Sequence, residues 1–442
     1  MSWNLLYALD AFAILIFLVS YYWNCYRRGY RIDFWHVELF LFCVLPNMIM
    51  LPFSGSVLNA PILGTHFAAV VAALPNVFLI TIVGYFAMLA GGSLWRLHAG
   101  LGIRKATIRV LDIVPRSSMM LMSSRSLLVF QAFICFLLQV IILLLYFSQS
   151  GFGFDLRGFT FANPALRPVA LVISNYSVII ASHCLARYVD KKEKMLLACT
   201  LLLTVGLVFF GARSNLLAIY LGVLLCFLVR LRNRISLFRI VGLTSIITLV
   251  GLYLGDVRAG EYSIANFLAA VAVLIFYGNN FSDLRDFAWV YAGWDHVFWK
   301  GKTYAAALMA FVPRVASDFR NTWGMGVATD LTAGLDPTVH PGLRPSAFGE
   351  GFFNFGLFGV VAIGLMLGII CRRVDIDVKR ALANPRPSMM RAFASAGLTG
   401  IASCLTATAG FSGLYILAGT YLFSWFCLGV VQLFHPAKKS PL

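Results

Sequence analysis

Charge is scarce in this chain. Asp, Glu, Lys and Arg make up 12% of its 442 residues, and only 18 residues are acidic. Soluble domains carry about twice that charged share, so a water-soluble fold is excluded. Basic residues are missing ahead of the first apolar stretch, LLYALDAFAILIFLVSYYW (5–23), and YRRGYR follows it. That is the reverse of a cleavable signal's charge order, so the stretch is expected to stay as a helix with its N-terminus outside. The nine cysteines contain no C-x-x-C pair and fall in apolar runs or beside basic loops, which points away from a disulfide framework or a metal site. No internal repeat is visible, which argues against an inverted-repeat transporter.

Hydrophobic residues are abundant instead, at 60% of the chain with a mean hydropathy of +0.84. Several runs exceed the roughly 20 apolar residues that cross a bilayer. They are continuous rather than alternating, which excludes a transmembrane barrel. The expected fold is an all-α polytopic membrane protein with about eleven spans. They fall near 5–23, 37–53, 67–94, 127–148, 169–186, 195–211, 213–229, 238–255, 346–371, 391–409 and 414–434. The spans divide the chain into membrane helices over 1–255, a long loop over 256–345, and membrane helices with a short tail over 346–442.

The net charge of +17 is explained by its placement. Basic clusters at 26–31, from Arg96 to Arg125, at 187–194, 230–234 and 372–380, with Arg386, Arg391, Lys438 and Lys439, all fall on one face. That face holds 25 of the 35 Lys and Arg residues, so the positive-inside rule makes it cytoplasmic, and nucleic-acid binding is rejected. The C-terminus then lies inside. Within the long loop, the apolar piece SIANFLAAVAVLIFY (263–277) is expected to be re-entrant or interfacial. If it crossed, the later basic clusters would invert. TYAAALMAFVP (303–313) is expected to lie at the interface.

Ten basic residues remain on the outer face: Arg157, Arg167, Arg213, Arg258, Arg285, Lys300, Lys302, Arg314, Arg320 and Arg344. An anionic ligand would account for them, because arginine forks match phosphate and carboxylate oxygens. Arg213, in FFGARSNLLAIY (209–220), either marks a helix end and snorkels or contacts a ligand. Arg344 at a helix start opposes the helix dipole, which favours anions there. Candidate bases are Asp283, Glu350 and His340, from an acidic set that also includes Asp286 and Asp330. Asp283 and Asp286 sit on neighbouring helical positions, with Arg285 on another face. In GLRPSAFGEGFFNFG (342–356), Pro345 suits a first helical turn, and Glu350 and Asn354 share a helix face. The aromatic residues Trp289, Tyr291, Trp294, Trp299 and Tyr304 fit an interfacial belt better than a sugar platform.

GARSNLLAIY (211–220) resembles the glycine–small–arginine–small motif of bacterial oligosaccharide repeat-unit polymerases, the O-antigen polymerase (Wzy-type) family. NNFSDLRDFAWV (279–290), GKTYAAALMAFVPR (301–314) and GLRPSAFGEGFFNFGLFGVVAIG (342–364) are similar to its long periplasmic loop and the helix that closes it. Order and spacing match from about residue 195 to 370. The resemblance implies a GT-C-like glycosyltransferase of the bacterial inner membrane, with its N-terminus periplasmic. Such an enzyme joins undecaprenyl-diphosphate-linked oligosaccharides into a surface polysaccharide at the periplasmic face. It shades into glycan ligases that use the same donors. It also implies a chain-length regulator and a flippase as partners, beside membrane lipids, and no cofactor. On this reading Arg213, Arg258, Arg285, Arg314, Arg320 and Arg344, with Asn354, hold the diphosphate-linked substrate. The arginines offset the leaving group's charge, while Glu350, Asp283 or His340 takes the acceptor proton. A transporter of anionic glycolipid is the rival from another class.

Overall fold

The computed structural model describes residues 3–28, 33–51, 66–97, 109–151, 156, 159–160, 163, 165–210 and 213–231. It also describes scattered positions between 242 and 271, then 282–312, 316–338, 340, 342–406 and 411–434. Among them the chain is helical, with no strand. Six helices are long and apolar enough to cross a membrane: Trp3–Arg27, Phe67–Leu94, Arg125–Ser150, Leu166–Lys191, Ser346–Ala383 and Phe411–Val430. Phe34–Ile49 and Lys194–Phe209 are shorter apolar helices. This is a helical, multi-pass membrane protein. Most of the span expected at 238–255, and most of the piece at 263–277, lie outside the described residues.

In chain order the elements are α1 (Trp3–Arg28), α2 (Phe34–Leu39) with a π-helical continuation (Phe40–Ile49), α3 (Phe67–Leu97), α4 (Ile113–Ser123), α5 (Arg125–Ser150), α6 (Leu166–Lys191), α7 (Lys194–Phe209) and α8 (Arg213–Arg230). The loop contributes α9 (Asp283–Ala292), α10 (Lys302–Leu308), α11 (Asp318–Trp323) and α12 (Met325–Thr332). The chain then forms α13 (Ser346–Ala383), α14 (Met389–Thr406) and α15 (Phe411–Phe434). The long helices show apolar residues to the outside, among them Phe12, Phe133, Leu144 and Phe426. Lipid offers no penalty for that exposure, so the helices need no polar face.

The most intimate contact is between α3 and α13. Lipid tails are as apolar as the helices, so association here depends on close packing of small residues. A Cβ at Gly84 would meet the Phe348 ring at 2.5 Å, and one at Gly364 would meet Ala87 and the Gly84 carbonyl at 2.7 Å. The glycines let the two backbones nearly touch.

The two ends of the bundle are distinct. Residues from separate basic clusters meet one another: Lys379 with Asp33, Arg373 with Asp112 at 2.8 Å, and Asp190 with Ser388 at 2.8 Å. At the other end, His66 lies against Trp289 with ring centroids 5.6 Å apart, and the Tyr415 hydroxyl donates to the Leu308 carbonyl at 2.6 Å. The first set of contacts brings the 33, 112, 190 and 373–388 segments together at one end. We refer to these ends as the basic face and the loop face.

Gly356 breaks α13 within its length, at φ 63° and ψ −152°. The carbonyls of Phe353 and Asn354 lose their helical partners across the break. They accept instead from the backbone N–H groups of Trp299, at 2.8 Å, and Lys300, at 3.1 Å. The break thus docks the 294–302 turn onto the first turns of α13 and sets them apart from the long run that follows.

Candidate active site

The loop face is built on α9, which packs against α3. Ser282 precedes it, and Asp286 in its first turn is buried. The Asp286 carboxylate is a hub. Oδ1 accepts from Arg285 Nε at 3.1 Å and Nη2 at 2.9 Å, and Oδ2 accepts from the Ser282 hydroxyl at 2.9 Å and the Arg344 backbone N–H at 3.2 Å. Arg285 and Asp286 were expected on different faces. The guanidinium instead folds back onto its chain neighbour, because both side chains are buried and an unpaired charge there would be costly. The hub ties α9 to the 342–345 turn, fifty-eight residues away in sequence.

Asp283 is half-buried beside this hub. Burial pushes its carboxyl from the ordinary 3.8 up to about 6. The Arg344 guanidinium pulls against that rise, Asp286 adds to it, and Arg285 opposes it. The Arg344 side chain itself is exposed.

His340 joins the same cluster. Its Nδ1 lies 2.7 Å from Oδ1 of Asp330, a carboxylate that is 1% exposed on α12, whereas the imidazole is 22% exposed. Thr329, next to Asp330, holds the following turn in place: its hydroxyl accepts from the Leu343 N–H at 3.1 Å. Burial lifts Asp330 above the ordinary carboxylate range, against the pull of His340, and Asp286 adds to the rise. The Gly342 N–H lies 3.2 Å from the same Nδ1. The shorter contact to a carboxylate favours the tautomer with its proton on Nδ1. Nε2, which would then accept, has no hydrogen-bond partner among the described residues.

Glu350 and Asn354 form a second centre. Both are 1% exposed, one turn apart on the first part of α13. Thr303 of α10 bridges them: its hydroxyl donates to Glu350 Oε1 at 2.9 Å and accepts from Asn354 Nδ2 at 2.8 Å. Asn354 Nδ2 also donates to the Glu350 carbonyl at 2.9 Å. Phe287 of α9 lies between the centres, packed edge-on to Phe353 at 5.5 Å.

The fold thus gathers Asp283, Arg285, His340 and Arg344 into one cluster and keeps Glu350 with Asn354 in another. Arg320 lies on α11, where its backbone N–H is capped by the Ser317 hydroxyl at 3.2 Å. Arg258 and Arg314 lie outside the described residues, and Arg213 is described only as the first residue of α8. Two expectations are corrected. Trp289, Trp294 and Trp299 are buried rather than belted around the membrane boundary: Trp294 packs with Phe352, Trp299 with Phe353, and Trp289 against His66. Pro345 precedes α13 rather than entering its first turn.

Thr303 and Ser282 were not singled out from sequence. Ser282 had a legible signal, a helix-capping residue type just ahead of an amphipathic run. Thr303 had none, because its partner Glu350 lies 47 residues away. Asp330 stood in the acidic set, without its pairing to His340. No protein-family profile, curated protein or solved structure matches this chain.

Proposed function

We propose that this chain is a membrane glycosyltransferase that joins lipid-diphosphate-linked oligosaccharides, in the manner of a repeat-unit polymerase. The loop face would be periplasmic and the basic face cytoplasmic, which puts the N-terminus outside and the C-terminus inside. The observation that carries the reading is the half-buried His340 imidazole, aligned by buried Asp330 in the same cluster as the exposed Arg344 guanidinium. A carboxylate that fixes Nδ1 leaves Nε2 to take a proton.

In the proposed reaction the acceptor hydroxyl gives its proton to His340 Nε2, and its oxygen attacks the anomeric carbon of the donor sugar. The bond from that carbon to the diphosphate oxygen breaks, and the diphosphate leaves with the electron pair. Arg344 offsets the charge that develops there. Asp283 would then serve beside Arg344 in moving or holding a proton. Arg285, tied to Asp286, keeps the 342–345 turn in register. Glu350, enclosed by Thr303 and Asn354, suits a framework role better than that of a base.

The test uses protein in nanodiscs with a polyprenyl-diphosphate-linked oligosaccharide, products being resolved on a gel. A ladder from wild type that His340→Gln and Arg344→Gln abolish supports the reading. A single addition onto a lipid-core acceptor, with no ladder, points to a ligase. Movement of labelled glycolipid across the bilayer without any new bond overturns the enzyme reading.

A further inference from the structure

Several basic side chains on the basic face are tied to carboxylates. Arg187 pairs with Glu193 at 2.9 Å, Arg372 with Asp375 at 3.1 Å, Arg373 with Asp112 at 2.8 Å, and Lys379 with Asp33 and Asp375. Arg386 and Arg391 are not among these pairs. Both are exposed, and neither has an ion-pair partner among the described residues. With Asn384, Pro385 and Ser388 they line an open cleft of 570 Å³ between the end of α13 and the start of α14.

The start of α14 is already occupied by a protein carboxylate. Asp190, in the last turn of α6, accepts from the backbone N–H groups of Met389 and Met390, at 2.8 and 2.9 Å, and from the Ser388 hydroxyl at 2.8 Å. Its charge is balanced against the positive end of that helix, so an anion in the cleft would be held by the two guanidinium groups. The same contacts bring the turn bearing Lys191 and Lys192, both exposed, alongside α14. Four cations therefore gather around the start of α14, on the basic face.

We propose that this cleft binds the headgroup of an anionic phospholipid of the surrounding bilayer, its phosphate lying between Arg386 and Arg391. Guanidinium forks match phosphate oxygens in a bidentate way, and the cleft is open to the surroundings. Basic clefts between membrane helices on the positively charged face are suited to such headgroups. The inference does not depend on the activity proposed above.

Native mass spectrometry of the detergent-solubilised protein tests it, with phosphatidylglycerol, phosphatidylcholine or inorganic phosphate added in separate arms. Wild type should retain one phosphatidylglycerol in preference to phosphatidylcholine. The Arg386→Gln/Arg391→Gln variant should lose that adduct, each arginine contributing about fivefold in affinity. Arg386→Lys/Arg391→Lys should keep most of it, which separates loss of charge from misfolding. Arg380→Gln, exposed on the same face outside the cleft, should leave it unchanged. Equal retention by the double glutamine variant, or displacement of the lipid by millimolar inorganic phosphate, overturns the proposal.

Discussion

Replacing Asp283 by Asn should stabilise the protein above pH 6 and do little below pH 4. The carboxyl is raised from 3.8 to about 6, chiefly by burial, with Arg344 and Arg285 only partly compensating. A raised carboxyl contributes stability that is complete below its unfolded value and lost as the pH climbs through the folded one. The distance from 3.8 to about 6 corresponds to about 3 kcal/mol, at 1.36 kcal/mol per pH unit. By pH 8 the wild type has given up that amount, whereas an amide has no proton to lose. In a chain of this size about 3 kcal/mol corresponds to roughly 3–6 °C in Tm. Thermal unfolding in detergent, followed by intrinsic fluorescence at pH 4, 6 and 8, would give a gap between the two proteins that opens with pH. If Asp283→Asn is equally stable or less stable at pH 8, attraction to Arg344 outweighs burial, and the electrostatic account of the cluster fails.

Three further outcomes are expected. Asp330→Asn should lower turnover in the ladder assay by about 10²–10⁴-fold and shift its pH profile, as for loss of an aligned general base; an unchanged profile would detach Asp330 from the chemistry. Thr303→Val strips the hydroxyl that bridges Glu350 and Asn354. It should cost about 1–3 kcal/mol, read as a fall in Tm that is smaller in a Glu350→Gln background, whereas equal falls in both backgrounds would deny the coupling. Gly356→Ala places a side chain at φ 63° and ψ −152°, a region that costs residues other than glycine about 1–3 kcal/mol. Tm should drop, and proteolysis should cut faster in the 294–302 turn, which docks on the carbonyls exposed by the break; an unchanged digestion rate would deny that link.

The membrane character and the helices were legible in the sequence because each depends on local pattern. A continuous apolar run must be helical in lipid, where every backbone group needs an internal partner. Charge clusters between such runs assign faces by counting, and in the structure Lys379, Arg373 and Ser388 reach across to Asp33, Asp112 and Asp190. Candidate residues were legible as types, since acidic and basic groups stand out in so apolar a chain.

Their roles were decided only by tertiary structure. Asp283 and Asp286 are equivalent in the sequence. In the fold, one is a hub accepting four hydrogen bonds and the other a half-buried acid. Glu350 looks like a base until Thr303 closes over it. His340 looks like a loop residue until Asp330 is placed behind it. Trp294 and Trp299, which suit a membrane belt, become part of a core beneath the loop, because Phe352 and Phe353 project from α13 to meet them. Each outcome depends on which surfaces meet across tens of residues of chain. Burial and charge pairing at those meetings set the protonation and exposure of each group, and neither quantity is a property of the residue alone.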